Sequence, residues 1–434
     1  MGKPNAEKMH DMLRFSVAAK SGCAVCIEHL VQAGGRHNTR LSSNQETGFI
    51  PETALQTAAQ EGHLQAVKIL VQAKADINAA PAQYRGLTAL QAAAGGGHPK
   101  VVNVLIQAGA DINAASAQDS GRAALQAAAE EGRLEVVNAL IEAGADINAP
   151  PGQEFGRTAL QAAAEVGHLQ VVKILIREGA DINAVPAQRS GRTALEAAAE
   201  AGHLQIVKTL IREGADVNAA PDQRYGRTAP EAAAGGGHLE VVNALIQANA
   251  TVNVALTRES GQTALQAAAE EGHLQVVKTL IREDAGVNAA PASNYGKTAL
   301  QAAANGCHLE VMNALIQANA DVNAAPGESF GQTALDAAAR NGHLEAVNTL
   351  IQANTVVNMP SPGPEGKFGS RQTALQAAAA NGYLEIVRAL IEVNADINLV
   401  PGVGKSPFGE AEDNGYPEIA KILKQAGAKR YTRW

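Results

Sequence analysis

Cysteine, aromatic residues and long apolar runs are all scarce in this 434-residue chain. Three cysteines are too few for the disulfide framework of a small secreted domain, so a reducing, intracellular location, cytoplasmic or nuclear, is expected. No apolar run is long enough to cross a bilayer, and residues 1–15 lack the apolar segment of a secretory signal. The net charge of −8 argues against a general nucleic-acid-binding protein. Neither a membrane nor a nucleic-acid partner is therefore expected.

The chain is rich in repetition. The phrase GRTALEAAAEAGHL (191–204) returns with small changes, mostly at intervals of 35 residues. A fixed period in this range is typical of solenoid proteins, in which each repeat packs only against its neighbours. Residues 13–35 and 406–428 match the pattern loosely and are interpreted as capping copies. The ten copies between them begin at Thr53, Thr88, Ala123, Thr158, Thr193, Thr228, Thr263, Thr298, Thr333 and Thr373.

Each copy predicts two short helices joined by a turn. Thr193 and Glu196 have the spacing of a capping box, in which each side chain accepts a hydrogen bond from the backbone N–H of the other residue. An alanine-rich helix follows, and Gly202 is expected to end it in the left-handed conformation. The second helix is predicted to bury one apolar stripe, formed by Leu204, Val207, Leu210 and Ile211.

The segment 193–219, TALEAAAEAGHLQIVKTLIREGADVNA, contains a T-A-L box, a G-H pair and a G-A-D-V-N turn in that order. It resembles the ankyrin repeat, although alanine replaces the family's proline and glutamine or glutamate replaces its first histidine. The longer connecting finger resembles the long ankyrin arrays of filamentous fungi. The resemblance implies an all-α ankyrin-repeat solenoid of about twelve helix-turn-helix units with elongated β-like fingers. It divides the chain into a capping repeat (1–39), ten repeats (40–405), and a capping repeat with a basic tail (406–434).

Recurrence decides between a catalytic and a structural role for the histidines. His203 follows the inter-helix glycine, and seven other copies carry histidine at the same position. An active site needs one constellation of residues and not the same residue in many copies, so these histidines are predicted to be structural. The sequence contains no recognisable nucleophile with an orienting base, phosphate loop or metal-ligand spacing. No cofactor or metal is therefore expected, and the absence of a catalytic motif favours a non-enzymatic protein over an enzyme.

The cysteines are interpreted as structural. Cys23 and Cys26 lie three residues apart on a repeat helix and are predicted to be buried, and not to form a redox or metal pair. Cys307 replaces the inter-helix glycine after Gly306, which is interpreted as a shift of the turn by one residue.

Positions that vary between copies on a constant frame are the candidates for function. In the ankyrin family these are the finger tips, the residue before the T-A-L box and the end of the first helix, which together line a concave groove. Arginine and aromatic side chains are enriched at binding hot spots. The predicted binding residues are Phe155, Arg157, Arg189, Arg192, Arg224, Tyr225, Arg227, Arg258, Tyr295, Phe330 and Phe368.

Two alternatives stay open at these positions. The aromatic rings either contact a partner or pack on neighbouring fingers and stiffen them. The arginines before the box either bind a partner or pair with Glu130, Glu165 and Glu200, and exposed ion pairs of that kind contribute little. If they bind, the copies beginning at Thr158, Thr193 and Thr228 form a positive patch for an anionic protein surface or an anionic small molecule.

The resemblance implies a non-enzymatic interaction scaffold that binds a protein partner through its concave groove and finger tips. The alternative is a small-molecule-binding protein or an atypical enzyme, with a pocket in the groove around the same three copies. The finger at 359–372 is five residues longer than its siblings and contains three prolines. It is predicted to project as a semi-rigid arm whose trimming leaves the fold intact.

Overall fold

The computed structural model describes residues 6–35, 52–80, 86–114, 122–150, 156–186, 191–220, 226–254, 261–290, 296–325, 331–361, 372–401, 404–430 and 432–433. The chain forms two compact units, Met1–Asp216 and Val217–Trp434. In these residues lie 24 helices and one pair of very short strands.

The first unit contains six helix pairs. The first helices of the pairs are α1 (Ala6–Lys20), α3 (Ala54–Gln60), α5 (Ala89–Gly96), α7 (Ala124–Glu130), α9 (Ala159–Val166) and α11 (Ala194–Glu200). The second helices are α2 (Ala24–Gln32), α4 (Leu64–Gln72), α6 (Pro99–Gln107), α8 (Leu134–Glu142), α10 (Leu169–Arg177) and α12 (Leu204–Arg212).

The second unit also contains six helix pairs. The first helices are α13 (Ala229–Gly235), α15 (Ala264–Glu270), α17 (Ala299–Asn305), α19 (Ala334–Arg340), α21 (Ala374–Asn381) and α23 (Pro407–Asp413). The second helices are α14 (Leu239–Gln247), α16 (Leu274–Arg282), α18 (Leu309–Gln317), α20 (Leu344–Gln352), α22 (Leu384–Glu392) and α24 (Pro417–Gln425). Strands β1 (Gly404–Lys405) and β2 (Thr432–Arg433) pair antiparallel.

Within each unit the helices form two layers. Each first helix packs against the first helices before and after it, each second helix packs likewise, and the two helices of a pair pack together. The alanines allow the first helices to approach closely, and Ala198 and Ala199 are fully buried. Helices this short depend on burial against their neighbours, which this arrangement supplies. The predicted all-α helix-turn-helix repeat fold is confirmed.

Local hydrogen bonds and backbone conformations set the helix ends as the sequence predicts. Thr193 Oγ1 accepts the N–H of Glu196 at 3.2 Å, and Glu196 Oε2 accepts the N–H of Thr193 at 2.9 Å. Gly202 is left-handed with φ 75°. The second helix buries Val207 and Leu210 as predicted, but it buries Ile206 instead of Leu204 and Ile211, which are half-buried. The difference arises because α12 packs against the preceding second helix, α10, as well as against its own first helix. The buried side of α12 is therefore the side that faces both of these helices.

Cys307 shows that one interpretation of the turns is wrong. Helix α17 ends at Asn305, and Cys307 occupies the left-handed position with φ 57°. Gly202 and Gly272 hold the same position in their own repeats, nine residues after the capping threonine. The turn has therefore not shifted, and a residue with a side chain adopts a conformation that glycine adopts more readily.

Asparagine side chains connect successive turns. Asn148 Oδ1 accepts the N–H of Asp181 at 2.8 Å, and its Nδ2 donates to the carbonyl of Gly179 at 3.0 Å. Other copies in the first unit repeat the pattern, as with Asn183 and the N–H of Asp216 at 2.9 Å. These bonds position the start of each finger on the repeat before it.

Candidate functional site

Histidines hold the ends of several first helices in place. His168 Nε2 lies 3.0 Å from the carbonyl oxygen of Glu130, and His203 Nε2 lies 3.0 Å from that of Glu165. The same contact joins His308 to Glu270 in the second unit. Each ring thus bonds the main chain of the repeat before it, which supports the structural interpretation of the histidines. The residues they fix are those whose side chains form the candidate site.

In the first unit, arginines before the first helices alternate with glutamates at the ends of those helices. We call this set the charge row; its members are Arg122, Glu130, Arg157, Glu165, Arg192 and Glu200. Arg157 Nε lies 2.8 Å from Glu165 Oε2, and its Nη1 lies 3.8 Å from Glu130 Oε1. Arg192 repeats this geometry, at 2.7 Å from Glu200 and 3.8 Å from Glu165. Arg122 also pairs with Glu130.

The charge row is ordered and partly open to solvent. Its three arginine side chains are 41–42% exposed, so water screens their charges. Pairs of this kind contribute about 0–1 kcal/mol each to stability. Glu130 and Glu165 each contact two arginines, one from their own repeat and one from the next. The row therefore fixes the positions of alternating charges more than it stabilises the fold.

In the second unit, other residues occupy some of the positions that correspond to the charge row. Glu270 contacts Lys297 Nζ at 2.9 Å. Burial favours a raised pKa for Glu270, but hydrogen bonds from Lys297 and Gln262 and the charges of Lys297 and Arg227 hold the pKa below its ordinary value. Gly235 stands where the charge row has a glutamate, and a β-carbon there would lie 3.5 Å from Arg227 Nη1. Arg227 thus lies over a first helix that brings no carboxylate at this position.

Three of the predicted binding residues lie among the residues that the structure describes. Arg157 and Arg192 belong to the charge row and share Glu165, while Arg227 lies beside Gly235 in the second unit. The arginines of the row make the glutamate contacts that one of the two sequence-based alternatives expects. The other predicted binding residues lie outside the described residues: Phe155, Arg189, Arg224, Tyr225, Arg258, Tyr295, Phe330 and Phe368.

A polar cluster that the sequence did not predict lies at the base of the long finger. It consists of Asp336, Arg340, Ser361 and Gln372, and we call it the finger clasp. The Ser361 hydroxyl donates to Asp336 Oδ2, and Arg340 Nη2 donates to Gln372 Oε1 at 2.7 Å. The N–H of Ser361 donates to the carbonyl of Gln372 at 3.0 Å, so the two ends of the finger meet. Residues 362–371, which hold most of the predicted arm, lie outside the described residues.

The clasp depends on two departures from the repeat pattern. Asp336 replaces the longer glutamine or glutamate of the other capping boxes, and Arg340 stands where the charge row has glutamate. Burial raises the pKa of Asp336 to about 7, although Ser361, Arg340 and Thr333 oppose that shift. Asp336 Oδ1 is buried without a hydrogen-bond partner among the described residues. These two substitutions, in the repeat that carries the long finger, are the sequence signal that could have identified the clasp.

The N-terminal cysteines contradict the sequence interpretation. Cys23 and Cys26 form a disulfide at the start of α2, and Cys26 is exposed while Cys23 is half-buried. The prediction of two buried thiols is wrong because residue 26 lies on the solvent side of α2, whose buried residue is Ile27.

A cavity of about 560 Å³ lies at the C-terminal helix pair, far along the chain from the copies where the small-molecule alternative expects a pocket. Its walls carry both apolar and charged side chains: Phe408, Glu412, Tyr416, Lys421, Lys424 and Arg430.

Comparisons with known proteins agree with the repeat architecture. A family profile described as ankyrin repeats (3 copies) matches residues 15–116, 83–151, 125–221, 218–291, 283–361 and 361–432. A comparison with curated proteins gives no match. Among the described residues, no helix has the length and apolar character needed to span a membrane.

Proposed function

Because the chain belongs to the ankyrin-repeat family, whose members are generally protein–protein interaction modules, we propose that it is a non-enzymatic scaffold. It binds a protein partner through the surface that carries the charge row and through the finger tips. The main support for this proposal is the charge row, whose half-exposed side chains recur at the regular spacing of the repeats. Side chains already held in place lose less conformational entropy when a partner binds.

The partner's contacting surface is anionic in this proposal. Arg227 in the second unit has Gly235 beside it where the arginines of the charge row have a glutamate of their own repeat, and its charge adds to the positive charge that this proposal requires. Arg189, Arg224 and Arg258 add positive charge at the tips, and Phe155, Tyr225, Tyr295, Phe330 and Phe368 add aromatic surface. The planar guanidinium of arginine suits carboxylate groups, and aromatic rings supply contact area at little entropic cost.

The test compares two variants of the full chain that lose the same charge. The binding variant carries Arg192→Gln, Arg224→Gln and Arg227→Gln. The control carries Arg177→Gln, Arg212→Gln and Arg282→Gln, three exposed arginines near the ends of second helices. Each chain serves as bait in an extract of the native host, and retained proteins are quantified at low and high salt.

We expect a protein that the wild type and the control retain and the binding variant loses. Each lost charged hydrogen bond weakens binding by about 1.5–3 kcal/mol, and the interaction decreases with salt where the contacts are exposed. Equal retention by both variants contradicts the anionic surface. Recovery of a bound anionic small molecule instead, detected by native mass spectrometry of the purified chain, favours the small-molecule alternative.

A further inference from the structure

The Cys23–Cys26 disulfide contributes little to holding the fold. The two residues are separated by three positions, so the bond closes a very short loop within one helix start. The stabilisation that a disulfide gives by restricting the unfolded chain is smallest for short loops. The bond also joins no second helix to α2. A structural role therefore does not account for the bond.

The two sulfur atoms have different surroundings. Cys23 is the N-cap residue of α2, and its Sγ accepts the N–H of Cys26 at 3.3 Å. The first turn of α2 carries no acidic residue that would oppose negative charge at this helix end. A sulfur at a helix N-terminus is favoured as a thiolate, and a thiolate of lowered pKa is the better leaving group in disulfide exchange.

Access also distinguishes the two sulfurs. Cys26 is exposed, whereas Cys23 is half-buried and follows Gly22. A β-carbon at Gly22 would lie 2.6 Å from His63 Nδ1, so the ring of His63 covers the residue beside Cys23. His63 Nε2 lies 3.1 Å from the carbonyl oxygen of Lys20, which holds the ring there. An incoming thiol therefore meets Cys26 first.

We propose that Cys23 and Cys26 form a thiol–disulfide exchange site for thiol compounds such as glutathione-type peptides or protein cysteines. The thiolate of the first thiol attacks Cys26 Sγ, forms a mixed disulfide there, and displaces Cys23 as a thiolate that keeps the N–H of Cys26. A second thiolate attacks the incoming sulfur of the mixed disulfide and releases the Cys26 thiolate. Two thiols are oxidised to one disulfide, and the two electrons and two protons end on the cysteine pair.

The test uses the full chain with Cys307→Ala, so that Cys23 and Cys26 are its only thiols. Two further variants isolate each sulfur: Cys26→Ser leaves Cys23, and Cys23→Ser leaves Cys26. Thiolate absorbance is followed against pH for both. We expect Cys23 to ionise at least one pH unit below Cys26, which makes its thiolate fraction at pH 7 about 10-fold larger. Equal ionisation of the two thiols overturns the proposed leaving group.

Exchange itself is measured on the chain with both cysteines. It is incubated with mixtures of reduced and oxidised glutathione, and its thiols are counted by alkylation and mass spectrometry. We expect reversible interconversion of dithiol and disulfide, with glutathione trapped on Cys26 in Cys23→Ser. Circular dichroism of the oxidised and reduced chains is expected to coincide. Absence of exchange overturns the proposal, and so does loss of helix on reduction, since the bond would then be structural.

Discussion

Ala123 stands where nine other copies carry threonine before the first helix. The N–H of Ala123 still donates to Gln126 Oε1 at 2.8 Å, but alanine has no hydroxyl to accept the N–H of Gln126. Ala123→Thr completes the capping box and is expected to stabilise the protein by about 1 kcal/mol. Urea unfolding followed by circular dichroism measures the change. Thr158→Ala is the reverse control and should lower the free energy of unfolding by a similar amount. An unchanged urea midpoint for Ala123→Thr contradicts the conclusion that the capping box at Ala123 is incomplete.

Cys307 gives a second prediction at the scale of one residue. Its left-handed backbone, with φ 57°, costs energy for any residue that has a β-carbon. Cys307→Gly is expected to stabilise the protein by about 1 kcal/mol, part of which is offset by the greater freedom of glycine in the unfolded chain. Cys307→Ala keeps the β-carbon and serves as the control. If the alanine variant raises the urea midpoint as much as the glycine variant does, backbone strain is not the cause.

At the scale of elements, the finger clasp makes stability depend on pH through Asp336. Its pKa is about 7 in the folded protein, against an ordinary value of 3.8. Between these values the unfolded chain loses the proton while the folded chain keeps it, so the free energy of unfolding falls as pH rises to about 7. The total fall reaches up to about 4 kcal/mol, at about 1.4 kcal/mol for each pH unit.

Asp336→Asn removes this titration, and its side-chain oxygen still accepts the Ser361 hydroxyl. We expect the variant to exceed the wild type in stability more at pH 8 than at pH 5, as measured by urea unfolding at both values. Glu385→Gln, an exposed change of the same charge on α22, is the control. Parallel pH profiles for wild type and Asp336→Asn contradict the prediction.

The clasp also qualifies the expectation that the long finger can be trimmed without effect on the fold. Ser361 lies within the segment 359–372, yet it is buried and bonds to Asp336. A shortened finger that omits Ser361 removes the hydroxyl partner of Asp336. Trimming therefore has to remain between Ser361 and Gln372 if these contacts are to be preserved.

For each unit as a whole, the sequence predicts the features that depend on short spacings. The two residues of a capping pair such as Thr193 and Glu196 lie within one helical turn, and turn glycines such as Gly202 recur at fixed intervals. The finger clasp was not predicted because it joins residues brought together only by the return of a long connection. The Cys23–Cys26 disulfide was not predicted because a three-residue spacing does not specify which helix face meets solvent.

The ends of a repeat stack are expected to act as caps, and the C-terminal copy allows a test on the second unit. Helix α23 packs on α21 and α24 on α22, and Gln376 Nε2 donates to the carbonyl of Lys405 at 2.8 Å. A β-carbon at Gly382 would lie 2.5 Å from the ring of Tyr416, so this ring covers the preceding turn. Truncation after Lys405 removes that cover.

We expect this truncation to lower the urea midpoint and to increase aggregation. Each large apolar side chain that becomes exposed costs roughly 1.5–3 kcal/mol, and solenoid repeats are stabilised mainly by the interface with their neighbours. Truncation after Arg430 is the control, since it keeps α23, α24 and the bond from Ser406 Oγ to the carbonyl of Lys429 at 2.8 Å. Unfolding curves are recorded for both truncations and the full chain. If the longer deletion unfolds at the same midpoint as its control and does not aggregate, the C-terminal copy does not protect the repeats before it.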